Sequence, residues 1–509
     1  MEALELLTDQ LETRSGRFSI LATAVSIIYL AWLIAITLTQ YFRLGHIPGP
    51  RLAGFSNLWL ARSVLSGRMH LDLHDVILKY GPDVPFTRIS PKEVTTRDSA
   101  FMRNMLRVQS EYQKSDWYNA MRFNPERDNI LSIQDNELHS KYREKLAPGY
   151  TGRDIDHLEP RVDRNVLDLV NMLDREYISK GLIFDFGRKA QYFTLDVISD
   201  VSFGQAFGFV KSNSDKYDYL AILEAHLPHL IMTSVYPGLV ELMRLPILKK
   251  LFPSERDEVG FGRFIGIAKE TAAARYGPDA ITKHDMLGSF VAHGLTQADA
   301  ESEILVQIVA GSDTTATALR TILLHIITCP RVFQKLYAEI TEAGIPSRPW
   351  NAVVSDAEAR GMKYLQAIIK EGLRVHPPAV GTGSKVVPPG GDTWKGVYLP
   401  AGTKVGFCMW GLMRNPEVWG NDADEFRPER WLETEGDKLR EMEATLELVF
   451  GMGRWQCLGR NVALMELNKV FVELLRRFEL VVYRPMEPLR SMSCGLFIQN
   501  DFWIKGYKR

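Results

Sequence analysis

The chain has 509 residues, of which 46% are hydrophobic and 24% are charged, and this composition supports a large apolar core. Because 61 Lys and Arg residues nearly balance 62 Asp and Glu residues, no overall positive charge favours nucleic-acid binding. The four cysteines form no CxxC pair and no zinc spacing, which indicates a reducing compartment and excludes a disulfide-rich scaffold; they are Cys329, Cys408, Cys457 and Cys494.

The N-terminal segment predicts a membrane anchor. Residues 18–42 contain no charge and are flanked by Arg17 and Arg43, and about 20 apolar residues suffice to span a bilayer. A cleaved signal peptide is the alternative, but its apolar region covers only ~7–15 residues and ends at a small-residue site. The chain after the span is rich in arginine before its first acid, Asp72, so the positive-inside rule predicts a cytosolic C-terminal body.

Helical patterns dominate the chain beyond the Pro/Gly segment at 43–50. Apolar periodicity predicts helices at 161–177, 193–201, 296–328, 332–343, 363–374 and 461–478. Short strand-like pieces bounded by Gly and Pro lie at 385–387, 397–399 and 403–407. The pattern therefore predicts one large, mainly α domain that carries small β-sheets.

The predicted helix at 296–328 has a polar centre between apolar flanks. Thr296 and Asp299 resemble a capping box, and Pro330 supplies the stop. The centre, residues 310–315, reads AGSDTT and is poor in helix-forming residues. Its glycine and back-bonding hydroxyls can open the helical ladder into a groove for a small ligand and water. A satisfied polar patch between helices explains the same residues, and both interpretations remain open at this point.

A cysteine in a glycine-rich loop is the second chemical feature. Cys457 follows Gly451 and Gly453, precedes Gly459, and stands just before the predicted helix at 461–478. Amide donors and the dipole at a helix N-terminus stabilise a thiolate, and a thiolate is a known axial ligand of haem iron. For an isolated cysteine, a buried structural thiol is the alternative.

Four segments together resemble the cytochrome P450 family, in the order in which that family carries them. They are the AGSDTT segment at 310–315, the EGLR segment at 371–374, the FRPERW segment at 426–431 and the FGMGRWQCLG loop at 450–459. The GRWQCLGRNVA run is similar to fungal microsomal enzymes of secondary metabolism, of the pisatin-demethylase-like kind. The resemblance implies a cytochrome P450-like fold preceded by a single transmembrane helix.

The implied organisation is a lumenal segment at 1–17, a transmembrane anchor at 18–42, a Pro/Gly hinge at 43–50 and a haem-thiolate catalytic domain at 51–509. The apolar region at 226–252 stands where the family forms a lid that touches the bilayer, and an ordinary buried helix pair is the alternative.

The resemblance also implies residue roles. Cys457 would be the axial ligand of haem b, with Phe450 packed beside it, and Asp313 with Thr314 would form a proton relay. A buried structural triad would consist of Glu371, Arg374 and Arg430.

Expected contacts to the haem propionates come from three places in the chain. His139 and Arg143 resemble the family's WxxxR helix with histidine in place of tryptophan, although a solvated helix face is the alternative. Lys385 stands where many relatives carry arginine. In the cysteine loop, Trp455 occupies the usual arginine position and Arg454 precedes it, so either residue could supply that contact.

The function implied is a monooxygenase that inserts one atom of O2 into a lipophilic small molecule, with a terpenoid of fungal secondary metabolism favoured. Its expected partners are NADPH-cytochrome P450 reductase, O2, substrate and membrane lipid, without nucleic acid, at the endoplasmic reticulum membrane. The alternatives are a haem-thiolate isomerase or peroxide-using enzyme, or a haem-binding protein without turnover.

Overall fold

The computed structural model describes residues 14–81, 83–124, 127–243, 245, 247 and 253–509. The described part is mainly helical, which confirms the predicted fold class. The helices are α1 Arg14–Arg43, α2 Leu58–Leu65, α3 Met69–Tyr80, α4 Ser99–Leu106, α5 Asn136–Thr151, α6 Leu158–Leu173, α7 Phe186–Phe203, α8 Phe209–Ser212, α9 Tyr219–Val235, α10 Gly238–Met243, α11 Gly260–Ala273, α12 Met286–Ala292, α13 Gln297–Thr328, α14 Pro330–Glu342, α15 Asp356–Gly361, α16 Lys363–Val375, α17 Met409–Leu412, α18 Pro416–Trp419, α19 Arg430–Glu433, α20 Gly436–Leu446 and α21 Arg460–Arg477.

The strands are short and form small sheets at the edges of the helical body. They are β1 Thr87–Arg88, β2 Glu93–Thr96, β3 Gln113–Lys114, β4 Ile183–Asp185, β5 Lys385–Val386, β6 Asp392–Trp394, β7 Val397–Leu399, β8 Lys404–Phe407, β9 Phe478–Val482, β10 Arg490–Ser493, β11 Phe497–Asn500 and β12 Trp503–Lys508. The largest sheet has the order β1-β2-β8-β5-β3, and the others are β4-β12-β9, β10-β11 and β6-β7. Strand β3 therefore pairs with a strand from the other half of the chain.

Helix α13 crosses the core and positions the polar centre seen in the sequence. The Thr296 hydroxyl accepts a hydrogen bond from the Asp299 amide at its start, and Cys329 ends it. The helix continues through Gly311 without a break, so this glycine does not interrupt it. A Cβ at Gly311 would lie 2.7 Å from Cγ1 of Ile198 on α7, so this glycine allows two helices to pack closely instead.

Helix α1 stands apart from the core with its apolar side chains exposed. Its segment Leu21–Arg43 is long and apolar enough to cross a bilayer, and the apolar stretch that meets this test is not buried against the described part of the protein. Exposed apolar surface of this extent is unfavourable in water, which agrees with a membrane anchor. Residues 1–13 of the expected lumenal segment, and 244, 246 and 248–252 of the expected lid, lie outside the described residues.

The Pro/Gly segment that follows α1 is packed against the body. Arg88 is buried and donates hydrogen bonds to the carbonyls of Gln40 and Tyr41, at 2.9 and 3.0 Å, and to that of Gly54 at 3.1 Å. Its guanidinium therefore satisfies carbonyls in the last turn of α1, which a helix end leaves without intrahelical partners. A Cβ at Gly49 would lie 2.3 Å from the Arg88 carbonyl oxygen, so the chain here requires glycine.

Candidate functional site

The cysteine loop is a tight turn between residues 447–450 and helix α21. The Cys457 amide donates to the Phe450 carbonyl at 2.7 Å, which closes the loop. Gly451 and Gly453 both have positive φ values, of 70° and 61°. A Cβ at Gly453 would lie 2.4 Å from the carbonyl oxygen of Leu106. Glycine is therefore required by both backbone conformation and the approach of a neighbouring segment.

The Cys457 side chain is accessible although protein surrounds it closely. The residue is exposed, yet the surrounding protein is dense enough for burial to raise the pKa of the thiol. The amides of Gly459 and Arg460 and the charge of Arg143 act in the opposite direction. Burial outweighs them, so the amide donors alone do not make this cysteine a thiolate, whereas coordination to a metal cation would deprotonate it.

Two buried lysines face each other across strands β3 and β5. Lys114 and Lys385 are directly opposite partners in the antiparallel ladder, and they are only 4% and 1% exposed. Their ammonium groups lie 5.1 and 4.5 Å from the centre of the Tyr118 ring. Like charges directly opposite in a sheet destabilise it. The two lysines are therefore stable here in their charged form only with a source of negative charge nearby.

The two lysines donate their hydrogen bonds to neutral oxygens. Lys114 Nζ donates to the carbonyls of Ile130 and Leu131 at 2.7 and 2.8 Å, and Lys385 Nζ donates to the Tyr118 hydroxyl at 2.6 Å. Neither forms a salt bridge within the part of the chain that the structure describes. Burial lowers the pKa of Lys114 to about 7 and that of Lys385 well below its ordinary value. Sequence reasoning predicted Lys385 but missed Lys114.

His139 marks the centre of this cationic group. It is 2% exposed, and its Nδ1 has no hydrogen-bond partner among the described residues. Burial, together with the positive charges of Lys114, Arg143, Arg454 and Lys385, lowers the pKa of His139 to about 3. Four cations therefore lie within electrostatic reach of one imidazole. Because His139 is buried, it does not lie on a solvated face of α5.

The basic residues and the tryptophan join this group to the cysteine loop. Arg143 Nη1 donates to the Gln456 carbonyl at 2.7 Å, and Lys385 Nζ lies 5.0 Å from the centre of the Trp455 ring. The Trp455 indole N–H is buried without a hydrogen-bond partner among the described residues. Arg454 donates to the carbonyl of Val108, while its Nε is also buried and unpaired within the described part.

The donor set fits a dianionic porphyrin. Buried polar groups are normally hydrogen-bonded and buried charges are normally paired. Here unpaired donors at Trp455 and Arg454, and cations at Lys114 and Lys385 without a bonded carboxylate, surround the loop that carries Cys457. The two propionates of a haem would supply the missing acceptors and negative charge, and a cysteine thiolate is a haem ligand.

The centre of α13 provides a second polar cluster. Asp313 is buried and accepts a hydrogen bond from the Gln191 side-chain amide on α7. The side-chain oxygen of Gln191, Oε1, accepts a hydrogen bond from Arg320 Nη2 at 2.7 Å. Arg320 Nε donates to the Gly187 backbone carbonyl at 2.9 Å. Burial raises the pKa of Asp313 to about 7, and the positive charge of Arg320 opposes that rise. Gln191 carried no motif in the sequence, and only the packing of α7 on α13 identifies it.

Thr314 lies where α13 opens into the interior. Its Oγ1 donates to the Ala310 carbonyl at 2.9 Å, which is the back-bonding that the sequence indicated. Ala310 is exposed and Gly311 is half-buried, although the helix on both sides of them is buried. The Asp313 carboxyl and the Thr314 hydroxyl therefore have different hydrogen-bond partners, on the packed and the open side of the helix.

The predicted triad forms a connected buried cluster. Arg374 binds Glu371 through two hydrogen bonds of 2.8 and 2.9 Å, and Arg430 Nε donates to the same carboxylate at 2.9 Å. The Trp431 indole adds a further donor at 3.0 Å. Arg374 also donates to the carbonyls of Met413, Ala423 and Glu425. The cluster therefore fixes several loops next to α16. Separately, in the cysteine loop, the centre of the Phe450 ring lies 5.6 Å from the guanidinium of Arg460.

Comparisons with known proteins agree with this geometry. The family described as Cytochrome P450 matches residues 47–501. The chain is 41% identical to cytochrome P450 monooxygenase ABA1 of Pyricularia oryzae over 494 residues, 96% of each chain. It is 38% identical to monooxygenase aba1 of Botryotinia fuckeliana, over 90% of this chain and 91% of that one. It is 36% identical to monooxygenase abl1 of Leptosphaeria maculans, over 91% and 82%. The chain therefore belongs to the cytochrome P450 family and is a haem-iron monooxygenase of the kind found in fungal secondary metabolism.

Proposed function

We propose that this enzyme inserts one atom of dioxygen into a lipophilic metabolite, with haem b bound through Cys457. The observation that carries the proposal is the combination of an accessible cysteine in a glycine loop with four neighbouring cations that have no bonded carboxylate in the described part. A haem with a thiolate ligand supplies the electron donation that favours O–O cleavage.

The chain's own residues would hold the cofactor at two ends. Cys457 would bind the iron, with Phe450 packed beside the loop. The propionates would be held by the cations and donors around His139, which are Lys114, Arg143, Lys385, Arg454 and Trp455. This set replaces the usual arginine two positions before the cysteine with an indole donor, and Lys114 adds a charge from strand β3.

Proton delivery would use the two sides of α13. Thr314 Oγ1 lies on the open side and, while it donates to the Ala310 carbonyl, can accept a hydrogen bond from a ligand there. Asp313, with a pKa raised to about 7 by burial, can hold and release a proton near neutral pH, as a general acid requires. The neighbouring Gln191 orients the carboxyl. An intact acid–threonine pair supports oxygen activation over an isomerase or a carrier without turnover.

Electrons, location and substrate follow from the family and the anchor. A separate NADPH-cytochrome P450 reductase would deliver electrons on the cytosolic side of the endoplasmic reticulum membrane, to which α1 tethers the body. Lipophilic substrates partition into that membrane and would reach the site from it. We favour a terpenoid as the substrate, because a mostly apolar pocket in the enzyme would select such a molecule by its shape.

The test is co-expression of the full chain with a reductase, a spectral screen over lipophilic metabolites, and incubation of each ligand with NADPH and isotope-labelled dioxygen. The proposal predicts a product that carries one labelled oxygen atom. An isomerised product formed without NADPH and dioxygen would contradict it and identify the isomerase alternative. The matched control is the Asp313→Asn variant, which should bind the same ligand but form less product.

A further inference from the structure

A second buried carboxyl lies on α13 outside the acid–threonine pair. Glu303 is 1% exposed and precedes Asp313 by ten residues, which separates them by ~15 Å along the helix. Its Oε1 accepts a hydrogen bond from the Ile130 amide at 2.6 Å, while its Oε2 has no partner among the described residues. Burying a carboxyl is costly, so its presence here requires a reason.

The segment that Glu303 holds is the segment that holds Lys114. The Ile130 amide binds Glu303, and the carbonyls of Ile130 and Leu131 accept the two hydrogen bonds of the Lys114 ammonium. An ammonium group has three donors, so one N–H of Lys114 remains for an anion. The direction of that N–H depends on where the two carbonyls stand.

The surroundings of Glu303 link it electrostatically to the same site. When Glu303 is ionised, its charge raises the pKa of Lys114 against the stronger effect of burial; Asp128 acts in the same direction and Arg143 in the opposite one. Burial raises the pKa of Glu303 itself to about 8; the hydrogen bond from the Ile130 amide, Tyr142 and Lys114 oppose that rise, and Asp299 adds to it. Near neutral pH the carboxyl is therefore largely protonated, and its main contribution is the hydrogen bond to the Ile130 amide.

We propose that Glu303 is a positioning residue that aims Lys114 at the porphyrin carboxylates by fixing the Ile130–Leu131 backbone. The proposal rests on the role of Lys114 in haem binding given above. It assigns a function to the first half of α13, away from the oxygen-activating centre, and it explains why a carboxyl is buried beside a cationic site without forming a salt bridge to it.

The test measures haem release from the intact enzyme to an excess of a haem-scavenging apoprotein, followed by absorbance. Lys114→Met should accelerate release by about 10- to 100-fold, the range expected for one charge-assisted hydrogen bond. Glu303→Leu should accelerate it by about 10-fold because the Ile130 amide loses its acceptor. Glu303→Gln keeps that acceptor and should stay within about 2-fold of the parent. The matched control is Glu301→Leu, on the same helix.

The double variant Glu303→Leu/Lys114→Met separates positioning from general stability. If Glu303 acts through Lys114, the double variant releases haem at the rate of Lys114→Met alone. If the accelerations of haem release in the two single variants multiply in the double variant, the positioning role is overturned. An unchanged rate in Lys114→Met would instead overturn the assignment of Lys114 to the propionates. If Glu303→Leu does not fold, Glu303→Asp repeats the test, because its shorter side chain cannot reach the Ile130 amide. Glu303→Asp should then release haem about as fast as is expected for Glu303→Leu.

Discussion

Replacing Gln191 by methionine should shift the pH dependence of oxygen coupling. The Gln191 amide donates to the buried Asp313 carboxyl and accepts from Arg320. A hydrogen bond to a charged group stabilises it by about 1.5–3 kcal/mol, and each pKa unit corresponds to about 1.36 kcal/mol. The pKa of Asp313, raised to about 7 in the parent, should therefore rise by roughly one to two further units. Methionine is similar in length, so it keeps Arg320 apart from the carboxylate.

The assay measures peroxide released per NADPH consumed, between pH 6 and pH 9, with a ligand found by spectral screening. The protonated carboxyl is the form that supplies a proton, so coupling falls as pH rises through the pKa of Asp313. In Gln191→Met this fall should occur at higher pH. The control is Thr194→Val, which removes a hydrogen bond from α7 to the Ser312 carbonyl on α13 but leaves the carboxyl's neighbours in place. A profile identical to the parent would refute the proposed control of Asp313 by Gln191.

Three further substitutions test other parts of the account. Thr314→Ala should raise peroxide release per NADPH several-fold. The control is Thr328→Ala, which removes a similar back-bonding hydroxyl at the end of α13 and should leave peroxide release unchanged. Equal coupling in the two variants would count against the relay. Glu371→Gln leaves two buried arginines without their carboxylate and should cost about 3–5 kcal/mol of unfolding free energy, seen as a lower thermal midpoint; an unchanged midpoint would contradict the triad's structural role. Arg88→Met removes the donors to the end of α1 and should speed proteolytic separation of the anchor from the body in vesicles; an unchanged cleavage rate would show that the junction does not depend on Arg88.

Sequence patterns predicted the features that local spacing encodes. Glu371 and Arg374 lie one helical turn apart, and helical periodicity placed α13 and α21 within a few residues of their observed bounds. The glycine loop around Cys457 also carried its own local pattern. The triad's third member, Arg430, followed from the family resemblance, because nothing in its local spacing brings it to Glu371.

The remaining features depend on contacts between distant segments. Lys114 faces Lys385 only because β3 pairs with β5 in a particular register, and a lysine in a two-residue strand gives no sign of that pairing. Gln191 reaches Asp313 because α7 packs closely on α13 at Gly311, a contact that the local composition of α13 does not encode. The contacts of Pro48 and Gly49 with Arg88 likewise arise from tertiary packing that local composition does not encode.

The most direct test of the central claim is the absorbance spectrum of the ferrous carbonyl complex in Cys457→Ala. Cys457 is the accessible cysteine in the glycine loop, and Cys329 stands at the end of α13. The matched control is therefore Cys329→Ala. The account predicts that the thiolate-type spectrum disappears in Cys457→Ala and persists in Cys329→Ala. A thiolate-type spectrum retained in Cys457→Ala would contradict the assignment of this residue as the haem ligand.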